Sequence, residues 1–261
     1  MVTDAAAREI ARVEIVATAN APADNVPVTF GHLFSAGDVP RTSTLQAQLP
    51  SGEVIPLQFD RKATHPDGSI RHGIVTIVIP RLEPQKNLNI ALHSVASAKP
   101  AGDVAFGQLL PKTIPVEVRL KLSDGEYRAD INELLKNKPA QKSSWLSGPL
   151  AEEILLSARF KDGQGTPHPH LTLKCALRAF RDFDGIRMDF AIENTAAFAP
   201  APRNYRYDVS IKIGEKIAFE KKGLNHARQA RWRKILWLGQ EPGAQALVDR
   251  SEERRVGKEC A

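Results

Sequence analysis

A tight turn that feeds directly into a long β-branched run sets the terms for this chain. In the stretch from His65 to Pro80, HPDGSIRHGIVTIVIP, Pro66 presets φ, Asp67 has its own backbone to bond, and Gly68 accepts a positive φ. Ile, Val and Thr then dominate from Ile70 to Ile79, and charge disappears after His72. Such a run reads as a strand buried on both faces or closing a small barrel. A chain organised around it is built from sheet.

The flanking segments carry the same period. Residues 1–24 read as a leader ending in a first strand at Arg12 to Val16. Val26 to Phe30 is a strand whose Pro27 belongs at an edge or a start. Thr44 to Leu49 and Val54 to Phe59 form a hairpin about Pro50-Ser51-Gly52-Glu53, and Asn87 to Ser94 is a last strand. This spacing predicts a barrel over residues 25–98, with a linker candidate at Ala96 to Gly102.

Beyond it, Val116 to Leu122 alternates into an Asp124-Gly125 turn, Tyr127 to Asp130 returns, and Ile131 to Lys136 suits one or two helical turns. Further strands are expected at Ile154 to Phe160, His170 to Phe180, Ile186 to Asn194 and Tyr205 to Ile213, with an edge strand at Ile217 to Lys221. Leu171, Leu173, Cys175 and Leu177 share one face, as do Tyr205, Tyr207, Val209, Ile211 and Ile213. One apolar and one wet face per strand describes an antiparallel β-sandwich, here over residues 99–249. The predicted fold class is all-β, a small β-barrel followed by that sandwich.

Composition narrows the function classes. Across 261 residues, 42% hydrophobic and 25% charged content argues for folded globular domains rather than disorder or a coiled coil. The net charge of +6 would suit nucleic acid, but Lys and Arg are scattered among 30 acidic residues, with one dense cluster at Arg228 to Lys234. Nucleic acid is therefore not an expected partner. No window approaches the roughly 18 apolar residues of a membrane span. Asp4, Arg8, Glu9, Arg12 and Glu14 interrupt the apolar core that an export signal would need. Cys175 and Cys260 make neither a disulfide framework nor a zinc site. Residues 250–261 open with RSEERRVGKEC, which looks like an in-frame translation of a sequencing adapter; the expectation is a natural chain cut near Asp249, with further domains beyond it.

Asn25-Val-Pro-Val-Thr-Phe-Gly31, Leu57-Gln58 and His65-Pro-Asp-Gly-Ser69 with the following apolar strand resemble the N-terminal RIFT-related barrel of the exo-rhamnogalacturonan lyase-like family. Ser144-Trp-Leu-Ser-Gly-Pro149, Thr166-Pro-His-Pro-His170 and Ala230-Arg-Trp-Arg-Lys234 are similar to the central β-sandwich of long relatives, often encoded in phage or prophage regions. The resemblance implies a RIFT-related β-barrel followed by a β-sandwich, ahead of larger C-terminal regions as partners in the same protein. It implies no activity, and no catalytic residue is carried over.

Two stretches carry candidate chemistry. In Thr166-Pro-His168-Pro-His170 two imidazoles at i, i+2 of an extended chain project to one side, toward a sugar or a metal. A metal needs a third ligand, and His226, Asp162 and Glu193 stand at no diagnostic spacing, so neither metal nor cofactor is expected. In Asn225 to Lys234, Arg228, Arg231, Arg233 and Lys234 flank Trp232, a cation and aromatic set suited to an acidic glycan or a phosphate backbone, with Trp237 close behind. The expected ligand-binding residues are His168, His170, His226, Arg228, Arg231 and Trp232. The bland alternatives are a hairpin corner with hydrogen-bonded histidines and an edge strand with buried tryptophans.

A lyase would work by β-elimination: a cation neutralises the uronate carboxylate, a base takes the C5 proton and an acid protonates the leaving oxygen. Arg203, Tyr205, His226 and Arg228 have the residue types for it. Nucleophile motifs and phosphate-binding glycine loops are absent from the sequence. The expectation is a non-catalytic structural or carbohydrate-contacting module of a larger phage-derived or surface-associated protein, compatible with a place on a virion. Its partner would be an acidic polysaccharide, and the alternative is a fragment of a polysaccharide lyase-like enzyme.

Overall fold

A computed structural model of the chain describes residues 8–17, 20–96, 109–136, 144–196, 198–242 and 246–249. The linker beyond Ala96 and the adapter-like residues 250–261 lie outside them. The chain divides into two compact units, one of residues 1–105, 146–151 and 242–261, the other of residues 106–145 and 152–241.

The first unit contains β1 (Arg8–Ala17), β2 (Ala23–Leu33), β3 (Ser43–Gln48), β4 (Val54–Ile55), β5 (Leu57–Thr64), β6 (Ile70–Leu82) and β7 (Asn87–Ala96). β6, the β-branched run, is the centre of an antiparallel three-stranded sheet, β2-β6-β5. Its Val75, Thr76 and Ile77 are consecutively inaccessible to solvent, so both faces are covered as the run of β-branched residues predicts. The other sheet has β1, β7, β3 and β4 as neighbours, and one apolar core unites Val13 and Ile15 of β1, Val28 of β2, Ile77 of β6 and Ile90 of β7. The turn before β6 forms as its residues dictate. Gly68 takes φ 83°, and Asp67 Oδ1 accepts from Ser69 N–H at 2.9 Å and from its hydroxyl at 2.6 Å. The Ser69 hydroxyl and amide hold the Asp67 carboxyl below its ordinary range. His65 Nε2–H donates to Phe34 O at 2.9 Å, a structural role.

One strand assignment is corrected. Val54 to Phe59 is not a single return strand: Pro56, which has no N–H for a ladder, splits it. Val54 and Ile55 pair with β3, while Leu57 onward crosses to the other sheet and pairs with β6. Residues 146–151 belong to the same unit, tied to β5 by Gln58. Its Oε1 accepts from Leu150 N–H and Ala151 N–H, each at 2.8 Å, and its Nε2 donates to Ala151 O at 3.0 Å. Asp60 Oδ1 accepts from Ser147 N–H at 2.9 Å.

The second unit contains β8 (Val116–Leu122), β9 (Gly125–Asp130), α1 (Ile131–Lys136), the start of β10 (Ser144–Ser147), all but the first residue of β11 (Ala151–Lys161), β12 (Pro167–Phe180), β13 (Phe183–Glu193), β14 (Tyr205–Ile213), β15 (Lys216–His226) and β16 (Arg231–Gly239). A last strand, β17 (Ala246–Asp249), pairs antiparallel with β1 in the first unit's sheet. The strands of the second unit run in the order β15-β14-β8-β9-β11-β12-β13-β16, with β10 beside β11. β9 and β11 meet through the pair Arg128 and Lys161, so the sheet bends there into two four-stranded halves. The inward residues of both halves, among them Val118, Leu120, Val209 and Ile211 facing Leu171, Leu173, Met188 and Phe190, form one core. The sheet nearly closes on itself, because the two edge strands meet through side chains. Phe219 of β15 packs against Trp232 of β16 with ring centroids 5.6 Å apart, and Lys234 Nζ lies 4.8 Å from the Phe219 ring centre. The chain is all-β apart from α1 among the described residues, and the bend makes the second unit a sandwich.

Candidate functional site

The histidines of the sandwich lie inside it. His168, His170 and His226 are 1%, 5% and 3% exposed, which places the imidazoles under the surface rather than on it. Alternation along β12 sends His168 and His170 to the same inward side, in ring contact with Tyr205, while Tyr127 packs edge-on against His168 at 4.8 Å.

Two of them repeat one arrangement. Tyr205 O–H donates to His170 Nδ1, and His170 Nε2–H donates to Pro200 O at 2.8 Å. Tyr207 O–H donates to His226 Nδ1 at 2.8 Å, and His226 Nε2–H donates to Ala230 O at 2.9 Å. A carbonyl only accepts, so Nε2 of each ring carries a proton, and both nitrogens of each ring are engaged. Burial lowers the pKa of His226, partly offset by its bond to Ala230 O. His168 Nδ1 accepts from His170 N–H at 3.1 Å and Leu171 N–H at 2.9 Å, and burial pushes its pKa down to about 4. Among the described residues no three His, Cys, Asp or Glu side chains converge as a metal would require. Burial raises the Cys175 thiol pKa, keeping it protonated inside the core.

The arginines of β16 are paired with carboxylates of its neighbour. Asp189 Oδ1 accepts from Arg233 Nε at 2.6 Å, its Oδ2 meets Arg233 Nη2, and Arg187 Nη1 lies 3.4 Å away. Glu193 accepts from Arg231 and lies 3.4 Å from Lys174 Nζ, and Arg178 donates twice to Glu153 Oε2, at 2.7 and 2.9 Å. Register produces these ladders, with Glu193 opposite Arg231 and Thr172, one residue from Asn194 and its turn. Three nearly buried carboxylates thus hold five cations, and Trp232 turns inward onto Phe219. Arg231 and Arg233 are exposed but committed to these carboxylates, whereas Arg228, exposed at the turn before β16, has no carboxylate partner among the described residues, its N–H bonded to Asn204 Oδ1 at 2.7 Å.

The four residues named for a lyase come to one end of the sandwich, with Tyr205 opposite His226 in register and Arg203 and Arg228 on neighbouring turns, but their side chains are not free to act together. Arg203 lies over the Tyr205 ring, 5.2 Å from its centre, but the Tyr205 hydroxyl is committed to His170 and only 6% of Tyr205 is exposed. His226 belongs with Tyr207. Sequence reasoning missed Asn194, 2% exposed, whose Nδ2 donates to Arg203 O at 2.9 Å and Ala227 O at 3.1 Å. It fastens the two turns that carry Arg203 and Arg228; the only signal was an Asn closing an apolar strand.

Residues 11–91 match the family model of the PcRGLX-like N-terminal RIFT barrel domain, as the resemblance to rhamnogalacturonan lyase-like proteins implied for that part of the chain. Among solved structures, the chain is similar to a protein in the glycosyl hydrolase family 38 from Enterococcus faecalis, with TM-score 0.35, 10% identity, and coverage of 77% of this chain and 32% of that one. It is also similar to an alpha-mannosidase from Enterococcus faecalis V583, with TM-score 0.40, 7% identity, and coverage of 95% and 44%. The chain spans between about a third and under half of the length of these two structures. No curated protein matches it.

Proposed function

We propose that the chain is a non-catalytic, carbohydrate-contacting β module of a larger phage-derived or surface-associated protein, with an acidic polysaccharide as its partner. The carbohydrate part of this reading is supported by the RIFT barrel match over residues 11–91, and the phage or surface context rests on the resemblance alone. The observation that carries the non-catalytic part is the double Tyr to His to carbonyl arrangement. A β-elimination base has to reach the C5 proton of a bound sugar. Tyr205, Tyr207, His170 and His226 are each less than a tenth exposed and already donate or accept within the core. Arg228 and Arg203 are left as outward cations, suited to a carboxylate they bind without transforming. His168, His170 and His226 then shape the ground beneath a ligand, and Arg231 and Trp232 hold the sandwich edge.

The rival reading, a polysaccharide lyase fragment, draws on the proximity of Arg203 and Tyr205. Calorimetric titration of the full chain with acidic and neutral oligosaccharides tests the proposal. Saturable binding to acidic members is expected, and no binding across a broad panel would contradict it.

A further inference from the structure

The segment between β13 and β14 carries the most exposed large apolar side chain of the described residues, Phe198, at 104% relative exposure. It is nevertheless tied down from several sides. Ala199 N–H, next to Phe198, donates to Ala196 O at 3.1 Å. The buried His170 Nε2–H holds Pro200 O at 2.8 Å, and the buried Asn194 amide holds Arg203 O at 2.9 Å. Pro200 and Pro202 stiffen the chain between these anchors, and Ala201 takes φ 51°, a left-handed conformation that a non-glycine residue adopts only when its surroundings impose it.

The same anchors bring a second turn alongside. Asn194 Nδ2 also donates to Ala227 O at 3.1 Å, Asn194 O accepts from Gln229 N–H at 2.8 Å, and Arg228 N–H donates to Asn204 Oδ1 at 2.7 Å. Arg203 and Arg228 thus leave neighbouring backbones at one end of the sandwich. Arg203, with 65% of its side chain exposed, is oriented by the Tyr205 ring at 5.2 Å, and its ion pair with Asp124, at 4.0 Å and open to water, is too weak to neutralise it. Arg228 is exposed.

From this juxtaposition we infer that residues 198–204 and 227–230 form the ligand-contacting end of the sandwich, where Phe198 stacks on a sugar ring while Arg203 and Arg228 take its carboxylate. The inference rests on the carbohydrate-contacting reading and assigns its site. Phe198 has no polar atom, so its contribution is a flat apolar face, which the C–H face of a pyranose matches. Arg supplies the planar fork that grips a carboxylate through two parallel bonds. Phe198 stands among Ala and Pro rather than within a broad apolar patch, which favours a small polar ligand carrying one apolar face over a protein partner.

Titration calorimetry on the full chain tests this with a uronic-acid oligosaccharide and its carboxyl-reduced counterpart. The acidic form should bind at least tenfold tighter than the reduced one. Phe198→Ala and the double variant Arg203→Gln/Arg228→Gln should each weaken acidic binding at least tenfold with unchanged melting temperature. Lys222→Gln, an exposed cation of β15, should bind like the parent chain. If the parent chain binds and both site variants bind equally well, the inference falls while the carbohydrate-contacting reading stands. Equal binding of acidic and reduced forms overturns the role given to the arginines. If the parent chain binds neither sugar, both the inference and the reading beneath it fall.

Discussion

Gln58 and Ala151 hold each other in both directions: Gln58 Oε1 accepts from Ala151 N–H at 2.8 Å while Gln58 Nε2 donates to Ala151 O at 3.0 Å. The side-chain amide thus acts as a strand's peptide group would, and Leu150 N–H shares the same oxygen. Gln58 is 4% exposed, so its removal strands three backbone groups away from water. Gln58→Ala is expected to cost about 2–4 kcal/mol, read as a lower urea midpoint with an unchanged slope. Gly148→Ala should destabilise the chain too, since a Cβ there would lie 2.4 Å from Gln58 Cδ. A midpoint unmoved by either change would contradict this account of the 146–151 segment.

Asp189→Asn removes the charge between Arg187 and Arg233. Arg187 is largely buried, and burial, with Arg178 and Arg233 nearby, already lowers its pKa. The uncompensated cation should cost roughly 2–3 kcal/mol, below the usual figure for a buried pair because Arg233 reaches water. The additional change Arg187→Met should recover part of the loss in chemical denaturation.

Stability should also fall with mild acid. His168 titrates near 6.5 when unfolded and near 4 when folded, its charged form disfavoured by burial. Well above pH 6.5 both states carry a neutral ring and the group adds no pH dependence. As pH falls from there toward 4, the unfolded chain takes up a proton that the folded chain refuses, so folding weakens by about 2 kcal/mol between pH 6.5 and 5. His226 is shifted in the same direction. Urea midpoints at pH 7 and pH 5 should differ for the parent chain and differ less for His168→Asn, whose amide oxygen stands in for Nδ1 but does not titrate. Equal pH sensitivity in the two proteins would contradict the assignment.

Trp232→Ala tests the near-closure of the sandwich. Trp232 packs against both the core and Phe219 of the opposite edge strand, so its loss should cost about 2–4 kcal/mol. Amide hydrogen exchange should then speed up in β15 and β16 before β12. Uniform acceleration across the unit would argue that the ring pair joins nothing.

The strands were legible because alternation is local: Val116 to Leu122 and Tyr205 to Ile213 show their buried faces without a partner. Pairing was not. Tyr207 and His226 are 19 positions apart, His170 and Tyr205 are 35, and Asp189 and Arg233 are 44. Tyr207 with His226 and Asp189 with Arg233 meet through the register of neighbouring strands, and His170 with Tyr205 only because the sheet bends between β9 and β11. For this reason Thr166 to His170 and Asn225 to Lys234 read as chemistry in the sequence and as packing in the fold. Pro56 misled more simply: a local pattern continuous through a proline concealed a change of sheet. Phe198 went unremarked because a lone aromatic in an Ala/Pro segment has no period to betray it, and only its exposure singles it out.

The central claim, carbohydrate contact without turnover, meets its most direct test in one cuvette. The full chain is incubated with rhamnogalacturonan and other uronic-acid polymers that it binds by calorimetry, and absorbance is followed at the unsaturated-uronate band. Saturable binding with no rise in absorbance is expected. A sustained rise that scales with protein concentration and disappears in Tyr205→Phe or His226→Ala would contradict it and establish a lyase.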